Sequence, residues 1–513
     1  MNRNSELSET DRIIESSLSS QKQHVHQGAL ISEHRKIRLE NIVYLLALAI
    51  SVAIWFSAIG SPLWLDEALS YWKISRGFSR IFVRTDISLP TYYVILWVTK
   101  TLFGSSEIVL RIPSVLAMLA ATYVLYRSAR EFFAQDVALI ATIFFCLHPI
   151  VAFAAIDARP YAFGILTVNC AFLCLLLWMR THALKYAIGF GIAAASIFYF
   201  HYLLSVVLLA FALIFAAVKG REWKSFARQT AAAFVAFTLM MLPVVPRLLL
   251  LFQTGQSHVF SDSPHIEDLI ATFDMGKLLV LFGITALLAA ACRKAAVPEN
   301  EPEMTGWVCL LMAFIPIGIL YGVSVLTPIH VFVERWRLEA IPGIALCWGL
   351  LISRINSKAI RVIFCVAMVA STVAGVTWSI YTPHGYTWKY AIEAANASTA
   401  NDHAPLLICS DVPESNVSKT PGEVSSSGVL AQLSYYRVIS PVLPLPRALN
   451  QETMSKVHKF LATAVPARRR FLVVGFLPSW STIRWIKIVT KDLYTPKTVG
   501  VYDGVTVVEF IPR

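Results

Sequence analysis

Long apolar runs separated by short polar connections dominate this chain. Runs of roughly 20 residues span a bilayer as helices. The pattern predicts eleven spans, at 41–60, 106–126, 136–155, 160–179, 185–200, 203–218, 229–250, 274–291, 306–326, 337–353 and 360–380. A shorter stretch, 88–103 ("SLPTYYVILWVTKTLF"), has a proline near its start and carries Lys100. It is read as a segment lying along the interface. Beyond residue 381 the pattern changes. "PLLICSD" and "RFLVVGF" read as strands, and "VGVYDGVTVVEF" as a hairpin turning at Asp503-Gly504. With a helical pattern around 428–437, these predict a small external α/β domain. The chain thus divides into a flexible cytoplasmic tail (1–33), a transmembrane domain (34–383) and a C-terminal domain (384–513). The tail is polar and mixed in charge, and has no short apolar core before a cleavage site, so it is not read as a signal peptide. No internal repeat is evident.

Composition agrees with a polytopic α-helical membrane protein. The chain is 56% hydrophobic and 15% charged, with a mean hydropathy of +0.61. The net charge of +12 does not point to nucleic acid, because the basic residues gather in short connections. One set of connections holds Arg35, Lys36, Arg38, Arg127, Arg130, Arg180, Lys185, Lys219, Arg221, Lys224, Arg228, Arg293, Lys294, Arg354, Lys358 and Arg361. The other set of short connections holds little beyond Arg159, Arg335 and Arg337. The positive-inside rule then puts the N-terminus in the cytoplasm and the C-terminal domain outside it. A spanning 88–103 would reverse every later loop. Seven of the eight cysteines lie in or beside apolar runs, which leaves Cys409 without a partner inside the C-terminal part.

This topology gathers polar clusters on the non-cytoplasmic face: Asp66-Glu67, Asp157-Ala-Arg159-Pro-Tyr161, His201-Tyr202, the loop 252–273 and Glu334-Arg335-Trp336-Arg337. Titratable groups converging on one rim of a helix bundle mark a site. No nucleotide pool exists on that side, and the chain has no Walker loop. Its one GxGxxA match, Gly189 to Ala194, lies inside an apolar run and reads as close helix packing. An activated group would therefore arrive on a lipid. A sugar on a polyprenyl phosphate leaves a stable anion that needs cations or hydrogen-bond donors nearby. The acceptor hydroxyl needs one base, and direct displacement inverts the anomeric centre. Asp66 or Glu67, with Arg159, His201 and Arg335, supplies this kit. As adjacent residues, Asp66 and Glu67 point in different directions and do not form the flanking carboxyl pair of a glycoside hydrolase.

Several stretches also resemble a known family. "LWLDEALSYW", "LPTYYVILWVTKTLFGSSEIVLRIPSVL", "DARPYAF" and "YFHYLLSVVLL" are similar to the GT-C membrane glycosyltransferases. The resemblance is nearest the bacterial branch of lipopolysaccharide galacturonosyltransferases, with aminoarabinose transferases and protein O-mannosyltransferases more distant. It covers residues 40–220 well, and continues more weakly through "ERWRLEAIPGIAL". It implies a polyprenyl-phosphate-sugar donor, reaction at the outer face of the cytoplasmic membrane, interfacial helices in the first external loop, and Asp66 as base with Glu67 beside it. Two departures stand out. Relatives often have His-Pro-Pro or Glu-Lys-Pro where this chain has Ser88-Leu89-Pro90, a position that can supply a metal ligand or phosphate contact. Relatives often read Arg-Tyr-Leu-x-Pro where this chain has Arg335-Trp336-Arg337-Leu338-Glu339.

Each residue also has a plainer reading. Asp66 could cap a helix, and Glu67 could support it. Arg159 could snorkel, with Asp157 as its ion-pair partner. His201, Tyr161 and Tyr202 could form an interfacial aromatic turn. Arg111 could mark a helix start or reach donor phosphate, and Asp86 could be a second carboxylate. His258, His265, Glu267 and Asp268 read as solvated loop residues, their spacing matching no metal pattern. No cofactor is specified, and the role of a divalent metal is left open. The leading expectation is a glycosyltransferase acting on a lipid or glycan acceptor, or on a protein hydroxyl. A transporter or flippase for lipid-linked saccharides is the alternative, although it calls for midplane polar groups and repeated halves. An oligosaccharide ligase using a lipid pyrophosphate shares the chemistry but fits the Asp-Glu motif less well.

Overall fold

The computed structural model describes residues 40–82, 89–254, 263–273, 283–286, 303–375, 388–410, 430–476, 479–502 and 504–513. The tail 1–33, Asp86, His258, most of the span expected at 274–291 and the boundary at 383/384 lie outside these residues.

Every other expected span carries a helix. Among the described residues six helices are long and apolar enough to cross a membrane, and two bent pairs raise the number to eight. The count of eleven is not confirmed among the described residues, and two of the expected spans are sharply bent. The run 136–155 divides into α5 (Gln135–Leu147) and α6 (Pro149–Ala155), bent by 69°. Pro149 forces His148 into an extended conformation (φ −64°, ψ 129°), because a proline disfavours the helical region for the residue before it. Pro243 lies in a second break, of 67°, between α10 (Trp223–Met241) and α11 (Val245–Thr254). A further apolar helix, α8 (Leu184–Phe200), is only 17 residues long.

Around these lie α1 (Glu40–Ser57), α4 (Glu107–Ala129), α7 (Tyr161–Thr181), α9 (Val207–Lys219), α13 (Glu303–Leu326), α14 (Ile341–Ser353) and α15 (Lys358–Gly375). Their inward faces share one apolar core that includes Trp55, Met118, Phe145, Phe172, Phe211 and Trp348. Gly191 explains the GxGxxA pattern. A methyl group there would run into the Ala233 carbonyl of α10, so the missing side chain lets the two backbones meet.

Between α1 and α4 the chain forms α2 (Leu65–Ser75), a short 3₁₀ turn (Phe78–Phe82) and α3 (Pro90–Phe103). At 1.5 Å per residue the 14-residue α3 is about 21 Å long, short of the roughly 30 Å hydrocarbon core. A separate apolar cluster of Leu63, Ile74, Tyr92 and Leu96 holds these pieces together.

Among the described residues from 388 to 513, five strands form one sheet of order β2-β1-β3-β5-β4. β1 (Leu406–Cys409), β2 (Val442–Leu445) and β3 (Phe471–Phe476) are parallel, and β5 (Val505–Pro512) runs antiparallel between β3 and β4 (Tyr494–Tyr502). The expected hairpin is therefore present, with Gly504 at φ 81°, a left-handed value that glycine adopts without penalty. Side chains alternate across the sheet. Leu406 and Ile408 pack with α16 (Trp388–Thr399), whereas Leu407 and Cys409 pack with α18 (Gln451–Ala464) and α19 (Trp480–Val489). The short α17 (Gln432–Tyr435) leaves this three-layer unit and reaches α2.

Candidate active site

Helix α2 begins immediately after a half-buried, non-helical turn, and its first two acidic residues part company there. Successive helical residues point about 100° apart. Glu67 turns inward and is fully buried against Arg111 of α4, with Nη2–Oε2 at 2.5 Å. It also accepts hydrogen bonds from Arg111 Nε (2.8 Å), the Ala158 amide (2.8 Å) and the Trp64 amide (3.3 Å). The last of these caps the helix N-terminus. Arg111 in turn donates to the carbonyls of Ile59, Ser61 and Pro62 at 2.9, 2.6 and 3.1 Å. This corrects two expectations. Glu67 is neither exposed to a substrate nor short of partners, and Arg111 neither starts α4 nor reaches donor phosphate. Together they satisfy the backbone that presents α2. The capping role considered for Asp66 falls to Glu67.

Asp66 faces the other way. Its Oδ2 lies 3.9 Å from Arg159 Nη2 and 3.8 Å from Arg335 Nη2. Three segments far apart in sequence thus meet at one carboxylate. Arg159 sits in the turn between α6 and α7, and Arg335 in a 3₁₀ turn (Glu334–Ala340) leading into α14. Both contacts are longer than the roughly 2.7–2.9 Å of a tight charge-assisted hydrogen bond. All three side chains keep partial exposure: 17% for Asp66, 21% for Arg159 and 33% for Arg335. The Nε atoms of both arginines are buried without a hydrogen-bond partner. The cluster is cationic, loosely paired and open to an anion.

His201 lies beside this trio, at the break between α8 and α9. Its ring is 5.1 Å from that of Tyr161, stacks on Tyr202 at 5.5 Å, and is 6.1 Å from that of Trp336. Burial, then the charges of Arg159 and Arg335, push its imidazole down to about 3. It is therefore neutral near pH 7, so among the three residues expected to bind phosphate only the two arginines are cations. Its Nδ1 is buried and unpartnered, so it remains able to donate to an anion in one tautomer. Tyr161 is buried and engages the Arg335 guanidinium through its hydroxyl.

Two tryptophans that the sequence reading passed over complete the wall. Trp64 donates from Nε1 to Asp157 Oδ1 at 3.0 Å, and the Arg335 guanidinium lies over its ring at 5.5 Å. Arg335 is also 5.7 Å from the Trp336 ring. Among the described residues Asp157 forms no ion pair with Arg159. Its carboxylate instead holds Trp64, and burial, with the Glu67 charge adding, keeps it well above the usual carboxylate range. The available signal was position, since Trp64 and Trp336 lie within "LWLDE" and "ERWR".

The residues read as solvated loop are exposed where described, but two of them, Glu267 and Asp268, belong to a short helix. His265, Glu267 and Asp268 are exposed, and Asp268 Oδ2 accepts from the His265 amide at the start of α12 (Ile266–Thr272). Arg337 turns away from the trio and donates to the Asp268 carbonyl and the Thr272 hydroxyl. Among the described residues no group of three or more His, Cys, Asp or Glu could hold a metal ion.

Comparison with known proteins follows the same lines. Residues 89–249 match the family model of dolichyl-phosphate-mannose-protein mannosyltransferase. No curated protein sequence matches the chain. Among solved structures, ArnT from Cupriavidus metallidurans bound to undecaprenyl phosphate superposes with a TM-score of 0.56 at 12% identity, covering 91% of this chain and 97% of ArnT. The apo form of that protein gives 0.52 over the same shares, also at 12% identity. At that identity the likeness is one of fold. The transporter alternative finds no support in these matches. The chain is thus a multi-pass membrane protein with the GT-C fold of membrane glycosyltransferases, similar over residues 89–249 to the dolichyl-phosphate-mannose-protein mannosyltransferase family.

Proposed function

We propose that this protein is an integral membrane glycosyltransferase that moves a sugar from a polyprenyl-phosphate donor to a hydroxyl of an envelope acceptor, with inversion. The observation that carries this reading is the meeting of Asp66 with Arg159 and Arg335 at 3.9 and 3.8 Å. One carboxylate and two loosely held guanidinium groups match one base and one departing phosphate. The similarity to a dolichyl-phosphate-mannose family and to a fold that holds undecaprenyl phosphate in ArnT supports a lipid-linked monophosphate donor.

In this scheme the acceptor hydroxyl approaches Asp66. Its oxygen bonds to the anomeric carbon on the face opposite the phosphate as its proton passes to the Asp66 carboxylate. The bond between the anomeric carbon and the phosphate oxygen breaks, and the electron pair leaves on polyprenyl phosphate. Arg159 and Arg335 neutralise that charge as it develops, and neutral His201 donates one further hydrogen bond. Tyr161 and Trp64 hold Arg335 in place, and Tyr202 holds the His201 ring. Asp86, in the same loop of the sequence, is a further substrate contact in this scheme. The acceptor is a lipid A or core sugar, another glycan or a protein hydroxyl.

The N-terminal tail is cytoplasmic in this reading, and the site and the domain 384–513 face the other side of the cytoplasmic membrane. Helices α2 and α3 lie along that surface. This is supported by the length of α3 and by its exposed apolar residues Val98, Leu102 and Phe103. The test is transfer from defined polyprenyl-phosphate sugars to extracted envelope lipids in proteoliposomes. Asp66→Asn keeps the shape but cannot take the proton, and lowers kcat by about 10²–10⁴-fold while expression and folding persist. Undiminished transfer by this variant removes Asp66 as the base.

A further inference from the structure

The turn that presents Asp66 is half-buried and has no regular secondary structure, so those of its backbone polar groups that are shut off from water need partners. Arg111 takes the carbonyls of Ile59, Ser61 and Pro62. Glu67 takes the Trp64 amide. Leu63 is fully buried, and its amide donates to neither of them. It donates to the hydroxyl of Tyr436, 373 positions away, at 2.7 Å. Tyr436 immediately follows α17 and packs both on the core of the C-terminal sheet and on the cluster under α2. Its neighbour Tyr435 meets Tyr71 of α2 edge-on at 4.8 Å. Lys389 of the same C-terminal unit pairs with Glu107 at 3.3 Å.

We infer that Tyr436 is a positioning residue for the transfer reaction: the C-terminal domain clamps the Leu63 amide through this hydroxyl and so fixes where α2 begins and where Asp66 points. This rests on the reading of Asp66 as base. Asp66 is the second residue of α2, so any shift in the turn moves its carboxylate directly. The hydroxyl touches no substrate in this scheme, so its loss acts on kcat and leaves donor affinity alone. The C-terminal domain is then part of the catalytic geometry, whatever else it binds.

The experiment uses the full-length protein in nanodiscs and compares Tyr436→Phe with Tyr435→Phe. Each variant keeps its ring and loses one hydroxyl. In Tyr436→Phe, amide hydrogen exchange of a peptide covering 59–66 loses about tenfold or more of its protection, because the Leu63 amide is left without a buried partner. The strands of the C-terminal sheet keep theirs. In Tyr435→Phe the 59–66 peptide keeps its protection. For transfer, Tyr436→Phe lowers kcat by about tenfold while KM for the donor stays within about twofold, as expected of a misplaced base.

Unchanged exchange at 59–66 overturns the clamp, and so does a loss of protection spread evenly over the chain. A selective loss with an unchanged kcat overturns the positioning role. A raised KM at constant kcat makes Tyr436 a substrate contact instead. If the wild type transfers no sugar from any polyprenyl-phosphate donor, the proposed function fails, while the exchange comparison still decides whether the clamp exists.

Discussion

Replacing the buried Glu67–Arg111 pair by apolar residues tests whether that pair is a scaffold or a dispensable ion pair. Buried ion pairs in general can often be exchanged for hydrophobic residues at no cost, because the two desolvation penalties vanish together. This pair is predicted to behave differently. Glu67→Gln keeps the shape and removes the charge, leaving the fully buried Arg111 uncompensated, at a cost of about 3–5 kcal/mol. The double replacement Glu67→Leu with Arg111→Met removes both charges. It also strips partners from the carbonyls of Ile59, Ser61 and Pro62 and from the amides of Trp64 and Ala158. At about 1 kcal/mol for each orphaned group, the low end of the usual range, the loss is about 5 kcal/mol. The double variant is therefore no more stable than Glu67→Gln. Equilibrium unfolding in mixed micelles, run as a double-mutant cycle with both single apolar variants, measures this. A double variant as stable as the wild type refutes the reasoning, since it means that the turn needs neither side chain.

Two further outcomes follow from the geometry. The unfolded His201 imidazole protonates near its ordinary 6.5, whereas the folded one stays neutral down to about 3. Protons thus favour the unfolded state between these values, and stability falls as pH drops through that window and no further below it. Allowing for the partly exposed ring, the loss is about 2 kcal/mol; His201→Gln abolishes it, as the difference in unfolding between pH 7 and pH 4 shows. At the α8–α10 crossing, Gly191→Ala drives a methyl group into the Ala233 backbone and costs about 1–3 kcal/mol. Gly189→Ala meets only the Cys174 Sγ at 3.2 Å and costs less, which thermal unfolding of the two variants compares.

Periodicity and local chemistry carried much of the molecule. Hydropathy alone located the long apolar helices among the described residues, because a bilayer demands a long apolar run wherever the chain crosses it. The strands β1 and β3 were legible as short apolar runs, and the β4–β5 hairpin from its Asp-Gly turn. The convergence of Asp66, Arg159, His201 and Arg335 was readable from charge asymmetry, because short loops on one side of a membrane share one rim. The bends at Pro149 and Pro243 were written in the sequence too, as prolines inside apolar runs, but hydropathy counts composition and does not register a broken backbone.

Only the tertiary structure decided how these residues divide the work. Asp66 and Glu67 are chemically alike and adjacent, and the rotation of α2 sends one to the open arginines and the other to a buried one. His201 was read as a phosphate-binding residue, and burial beside two guanidinium groups keeps it neutral, an effect of neighbours that no local window contains. The partner of the Leu63 amide lies 373 residues away in another unit. Local sequence fixes which groups a segment offers. Which of those groups are left without water, and must therefore find one another, depends on what the fold packs on top of them.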